Sequence, residues 1–103
     1  MQGKLVRDRI PEIIFKNDGT QPRMRVLKQK EYRDELLKKL QEEVFEVRAA
    51  KKPKEILEEL ADVEEVIDAL LASAKLTRKE VSAVQKDKRK KRGGFSKRIY
   101  LIQ

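Results

Sequence analysis

The feature that most constrains the fold of this chain is a tract from Lys28 to Arg92 that contains no glycine and only one proline, Pro53. Glycine and proline are the residues that most strongly oppose a helix interior. The tract is therefore permissive for long helices, with a single break at Pro53. Because proline is at home in the first turn of a helix, the pattern predicts that a second helix begins there.

Apolar residues recur at helical spacing on both sides of Pro53. The first stripe predicts a helix that runs to about Ala50, and the second predicts another helix after the proline. Two amphipathic helices joined by a tight connection form an antiparallel hairpin. The first stripe consists of Leu36, Leu40, Val44 and Val47, with Leu37 at its edge, and the second of Ile56, Leu57, Leu60, Val63, Ile67, Leu70 and Leu71.

A third helix is predicted by "TRKE", in which Thr77 can cap the backbone and Glu80 can complete a capping box. It should continue to the Gly93-Gly94 pair, where a helix would stop. Residues 23–27, "RMRVL", are interpreted as a short extended stretch, and the C-terminal "FSKRIYLIQ" as a short strand, which could pair with it, or as a docked tail. The fold class predicted is all-α: a helical hairpin plus a third helix, which forms a helical bundle on oligomerisation, with short extended N- and C-terminal segments.

The length of 103 residues predicts a single domain spanning residues 1–103. A domain of this size would be marginal as a monomer, so we expect a homodimer or a homotetramer. The first residues lack an apolar core of signal-peptide length, and nothing later approaches a membrane span. The expected location is the cytoplasm, with no membrane partner.

The absence of both cysteine and histidine limits the chemistry open to the chain. Thiolate nucleophiles, zinc–thiolate sites and imidazole bases are excluded, so carboxylates are the plausible protein ligands for a metal. Carboxylates favour hard cations such as magnesium or manganese.

The net charge of +8 is divided unevenly: +3 over residues 1–27, −4 over residues 28–74 and +9 over residues 75–103. An acidic centre between basic ends suits a polyanion that binds through a bridging cation, although a basic tail for nucleic acid would give the same total.

Two acidic clusters lie symmetrically about the Lys52-Pro53 junction. Glu43 and Asp62 are equally far from it in sequence, and so are Glu46 and Glu59. If the chain reverses there, the four carboxylates meet, and their mutual repulsion would be relieved by a cation. The plain alternative is that glutamate is a good helix former that solvates a surface. Against this, like charges aligned across a hairpin would destabilise it.

Glu64 falls within the apolar arc of the second helix, so we expect it to pair with a lysine or arginine or to lie at the edge of an oligomer interface.

The run Lys86–Arg92, in which six of seven residues are basic, has three interpretations. It could be a solvated helix face, a nucleic-acid patch with salt-sensitive binding, or a phosphate clamp beside the acids. Lys88 and Arg92 are four residues apart and share a helix face, and arginine can bind phosphate with two hydrogen bonds.

The segments "KLVRDRIP", "KLQEEVFEV", "EELADV" and "KDKRKKRGGF" occur in this order along the chain. Together they resemble the MazG-like all-α nucleoside triphosphate pyrophosphohydrolases, specifically their small, predicted house-cleaning branch, and the chain is similar also to phosphoribosyl-ATP pyrophosphohydrolase. The resemblance covers nearly the whole chain. The family pattern EExxE followed by ExxD is matched by Glu42, Glu43, Glu46, Glu59 and Asp62.

The resemblance implies that Glu43, Glu46, Glu59 and Asp62 ligate magnesium, that Lys88 and Arg92 contact substrate phosphates, and that subunits pair to complete a bundle. It further implies that Lys4, Arg7 and Asp8 close over the nucleotide. Glu64 departs from the apolar residue that relatives usually carry at this position.

The expected reaction is hydrolysis of the α–β phosphoanhydride of a canonical or non-canonical NTP or dNTP, which yields a monophosphate and pyrophosphate. Glu46 or the adjacent Glu42 would accept the proton of the attacking water. The alternative is a non-catalytic protein: a basic helical module that binds nucleic acid, or a dimeric interaction module. The sequence favours the enzyme.

Overall fold

A computed structural model describes residues 3–103, and these residues form an all-α fold without a strand. Its helices are α1 (Ile10–Asp18), α2 (Gln29–Ala49), α3 (Pro53–Ser73) and α4 (Arg78–Arg92). Within residues 3–103, no helix combines the length and the apolar character needed to cross a membrane. The predicted fold class is therefore confirmed at the level of its helices, while oligomerisation stays a prediction.

Helices α2 and α3 form the predicted hairpin and are 21 residues long each. The chain reverses in three residues, and Pro53 opens α3 as predicted. Glu55 fixes the turn, because its Oε1 accepts hydrogen bonds from the backbone N–H groups of Lys51 at 3.3 Å and Lys52 at 3.0 Å. The same hydrogen bonds lower the pKa of the Glu55 carboxyl. This tight reversal sets the register that places the two acidic clusters opposite each other.

The core of the molecule lies between α2 and α3 and is small. Leu36 and Val66 are the buried apolar side chains among residues 3–103. Other members of the two predicted stripes remain largely open to solvent, including Leu57, which is 69% exposed, and Val44, which is 54% exposed. The predicted stripes include Leu36 but miss Val66, and several of their members are not covered within residues 3–103.

Helix α4 begins as the capping pattern predicts. The Thr77 hydroxyl accepts a hydrogen bond from the backbone N–H of Glu80, and the Glu80 carboxylate accepts one from the backbone N–H of Thr77. Arg78 then links this end of α4 to α3, with its guanidinium 2.6 Å from Asp68 and 2.8 Å from Glu64. These bonds raise the pKa of Arg78 further above its already high value. Glu64 thus pairs with an arginine, as expected, although its side chain is half exposed and not buried.

The two chain ends differ from the sequence-based expectation. Helix α1 was not predicted; Pro11 lies in its first turn, and Gly19 ends it in the left-handed conformation with φ of 72°. The proposed strand pairing between "RMRVL" and "FSKRIYLIQ" is wrong, since neither stretch forms a strand. Val26 is 95% exposed and Leu101 is 80% exposed, so neither segment has a sheet or core to pack on.

Candidate metal centre

Three carboxylates from the two hairpin helices meet at one point. Glu43 comes from α2, and Glu59 and Asp62 come from α3; we call these three residues the acidic triad. One carboxylate oxygen from each residue lies within 4.8 Å of the others, and all three side chains are partly buried. The i, i+3 spacing of Glu59 and Asp62 puts both on one face of α3, and the reversal before Pro53 brings Glu43 to the same level. The structure therefore brings together three of the four acids that the sequence paired.

The triad carries negative charge that its own helices do not neutralise. Burial raises the pKa of Glu43, and the nearby Asp62 adds to this, while Lys39 acts in the opposite direction. Burial also raises the pKa of Glu59, followed by the charges of Asp62, Glu46 and Glu43. Both shifts have the same physical cause, since a carboxylate among other carboxylates and away from water is costly to ionise. Such a site favours any cation that can reach it.

One cation from outside the hairpin does reach the triad. Arg7 Nη2 donates a hydrogen bond of 2.7 Å to Asp62 Oδ1 across 55 residues of sequence. The pair lies at the surface, with the Arg7 side chain 56% exposed and that of Asp62 41% exposed. From the sequence, Arg7 was connected to the site only by the family resemblance. No sequence period relates residues that are so far apart.

The fourth predicted ligand, Glu46, lies outside the group of carboxylate oxygens that meet. Its side chain is exposed, but its charge is near enough to raise the pKa values of Glu43 and Glu59. Glu42, the other candidate base, is also exposed and accepts a hydrogen bond of 3.2 Å from Lys39 Nζ. The symmetry of the four acids about the Lys52-Pro53 junction therefore holds only approximately in space. Glu43 is partly buried, whereas Glu46, about one turn later on α2, is exposed.

A cavity of about 450 Å³ adjoins the triad and is bounded by α2, α3, the segment that precedes α1 and the beginning of α1. Its acidic rim includes Glu43 and Asp62, and Arg7 stands at the same rim. Much of the remaining wall is apolar or aromatic. This combination of an apolar wall and convergent charges is typical of small-molecule sites. The wall includes Leu5, Val6, Ile10, Ile13, Tyr32, Leu36 and Val66, of which the sequence singled out only Leu36.

Lys88 and Arg92, the predicted phosphate contacts, lie on the exposed helix α4. Among residues 3–103, neither side chain forms a hydrogen bond or salt bridge to the triad; the salt bridge of this region joins Lys91 to Asp87 within α4 at 3.1 Å. A single chain does not bring them to the acids. Their role as phosphate ligands stays a prediction.

Comparisons of the chain with protein-family models, with curated proteins and with solved structures found no match.

Proposed function

We propose that this protein is a magnesium-dependent nucleotide pyrophosphohydrolase that converts a nucleoside triphosphate to its monophosphate and pyrophosphate. The observation that carries the proposal is the convergence of Glu43, Glu59 and Asp62. Two of these acids, Glu43 and Asp62, line a partly apolar cavity together with Arg7, which is hydrogen-bonded to Asp62. A triphosphate needs a cation, a basic side chain and room for its base, and this site offers groups suited to each. The resemblance of the sequence motifs to MazG-like enzymes leads to the same reaction.

The donor set fits magnesium or manganese. Both ions prefer oxygen ligands, and magnesium is typically held by one or two carboxylates together with phosphates and waters. The triad supplies three carboxylates, of which only Asp62 forms a salt bridge among residues 3–103, and Glu46 stands nearby to add a further one. A bound ion of this kind would supply neutralisation of the phosphate charge and a more acidic water.

The general base we assign is Glu46. Its carboxylate takes part in no salt bridge among residues 3–103, whereas that of Glu42 is engaged by Lys39. Glu46 accepts a proton from water, the hydroxide forms a bond to the α-phosphorus, and the bond from that phosphorus to the bridging oxygen breaks in line. Pyrophosphate leaves with the bonding electron pair. Glu43, Glu59 and Asp62 would be the residues that hold the cation.

Basic side chains would stabilise the charge on the leaving pyrophosphate. Arg7 is placed for this within the same chain, because it already lies at the rim of the cavity. Lys88 and Arg92 would come from a second subunit, since among residues 3–103 neither side chain forms a hydrogen bond or salt bridge to the triad of its own chain. The proposal therefore includes a homodimer or homotetramer, which would also cover apolar side chains of the hairpin that one chain leaves open.

The experiment that tests the proposal measures pyrophosphate and monophosphate from a panel of canonical and modified NTPs and dNTPs with magnesium. Glu59→Gln should reduce the rate by about a hundredfold or more, because it removes a ligand without changing the shape of the side chain. The matched control is Glu58→Gln, an exposed neighbour outside the triad. A blank panel with the parent protein would refute the activity, and equal rates for Glu59→Gln and the parent would refute the ligand assignment.

A second function, nucleic-acid binding, is favoured by one specific observation. Every residue of α4 and of the chain that follows it is exposed, and the last turn of α4 is entirely basic. A free basic helix of this kind suits a polyanion held by phosphate contacts. Binding of duplex DNA or RNA that weakens steeply with salt, without turnover of any nucleotide, would support this function over the enzyme.

A further inference from the structure

Arg7 is the one cationic side chain hydrogen-bonded to the acidic triad among residues 3–103. Glu43 and Glu59 form no hydrogen bond through their carboxylates in this part of the chain, so a single guanidinium faces three carboxylates. This leaves the group with an excess of negative charge. The Arg7 guanidinium lies at the end of a long, partly exposed side chain that can reorient.

A divalent cation in the triad would need the same carboxylate that Arg7 occupies. A guanidinium at 2.7 Å from Asp62 would then stand beside a doubly charged ion, and like charges at that distance repel. An ion pair as exposed as this one is weak and easily broken. The more highly charged, more compact cation should therefore displace the arginine.

The position of Arg7 gives the released side chain a second partner. It lies in residues 3–9, which precede α1 and bound the cavity together with Glu43 and Asp62. A phosphate bound to a cation in the triad would be at the same rim. Guanidinium groups bind phosphate oxygens through paired, charge-assisted hydrogen bonds, so such a phosphate would offer Arg7 a stronger partner than Asp62.

We propose that Arg7 is a built-in counter-cation of the acidic triad, that a divalent ion displaces it from Asp62, and that its freed guanidinium then binds the phosphate of the ligand. This inference rests on the proposed function, because it requires that the triad bind a divalent cation. Arg7 would thus have two successive partners, first Asp62 and then the phosphate of the ligand, and it would help to bind the polyphosphate.

The competing arrangement makes the opposite prediction. If Arg7 kept one oxygen of Asp62 in place while the other oxygen held the ion, removing Arg7 would weaken metal binding. If Arg7 competes with the ion, removing it tightens metal binding. The sign of the change in affinity therefore distinguishes displacement from orientation.

The test is calorimetric titration of magnesium chloride into the parent protein, Arg7→Gln and the matched control Arg9→Gln, without nucleotide. Arg9 is two residues away, but its guanidinium bonds Glu12 at 2.9 Å and not the triad. We expect Arg7→Gln to bind magnesium about two- to fivefold more tightly than the parent, as befits loss of an exposed competing ion pair, and Arg9→Gln to match the parent. Equal or weaker binding by Arg7→Gln would overturn the displacement.

A second titration uses inorganic tripolyphosphate in the presence of saturating magnesium, which presents the phosphates without a base. Here Arg7→Gln should bind at least about fivefold more weakly than the parent, and Arg7→Lys should recover part of the loss. Unchanged tripolyphosphate affinity would overturn the second role of Arg7. Absence of magnesium binding in all variants, including the parent, would overturn the proposed function and this inference with it, whereas binding that is insensitive to Arg7→Gln would overturn the inference alone.

Discussion

Replacing Glu43 by glutamine should make the metal-free protein more stable at neutral pH. The change removes one negative charge from the acidic triad and keeps the size of the side chain. Two unit charges 4.8 Å apart repel by about 0.9 kcal/mol in water and by about 3.5 kcal/mol at an effective dielectric constant of 20. Because the Asp62 carboxylate is shared with Arg7 and because Lys39 attracts Glu43, the lower value applies. We expect a gain of about 1 kcal/mol, or an increase of about 4–8 °C in the melting temperature.

The size of this stabilisation depends on pH in a defined way. The pKa of Glu43 is raised above its ordinary value of 4.5 in the folded state. Below that value the carboxyl is protonated in both folded and unfolded chains, and it carries no penalty. As the pH rises from 4.5 through the folded-state pKa, the unfolded chain releases its proton first and the folded protein loses stability. The advantage of Glu43→Gln should therefore be absent at pH 4, grow above pH 4.5 and reach a plateau near neutral pH.

The assay is thermal unfolding followed by circular dichroism in EDTA and again with magnesium. The parent should gain about 1.4 kcal/mol when magnesium is tenfold above its dissociation constant, and Glu43→Gln should gain less because it has lost a ligand. Glu58→Gln is the control, since that side chain is exposed and lies outside the triad. A variant less stable than its parent in EDTA at pH 7, or a difference that does not change with pH, would refute the electrostatic reasoning.

Three further predictions concern the scaffold. Leu36→Ala should lower the free energy of unfolding by about 2–5 kcal/mol, and urea titrations should show that much of the chain is unfolded. Leu37→Ala, at a position that is 43% exposed, should lower it far less. Thr77→Ala should lower the helicity of α4, because the lost N-cap is worth about 1 kcal/mol, and circular dichroism at low temperature would detect this. Gly93→Ala should increase amide hydrogen exchange in the last turn of α4, because its φ of 82° is strained for any other residue, while Gly94→Ala, which lacks a positive φ, should have little effect.

The hairpin could be predicted from the sequence because its signals are local. Hydrophobic period, the absence of glycine and a single Pro53 specify two helices and the place where the chain turns, and the cap at Thr77 specifies the start of the next. Helix α1 was not predicted, although Pro11 lies in its first turn, where proline is compatible with the start of a helix. The apolar residues of the C-terminal tail suggested a strand, but without a partner strand no extended segment can form a sheet.

The candidate site could likewise be predicted from the sequence only in part. Symmetry about the Lys52-Pro53 junction identified the acids that meet, but it could not tell that Glu46 lies outside the group formed by Glu43, Glu59 and Asp62. Sequence spacing fixes the helical level of a side chain, whereas the depth to which it reaches depends on how two helices pack.

By itself, the sequence determined that this protein is helical, where its hairpin reverses and that, with neither histidine nor cysteine present, its candidate metal ligands are carboxylates. Only the tertiary structure decided which three acids converge, that Arg7 binds Asp62 and that α4 is left open to solvent. The physical reason is range: helix formation depends on neighbours three or four residues apart, whereas a contact across 55 residues depends on how the packed elements place the two chain segments.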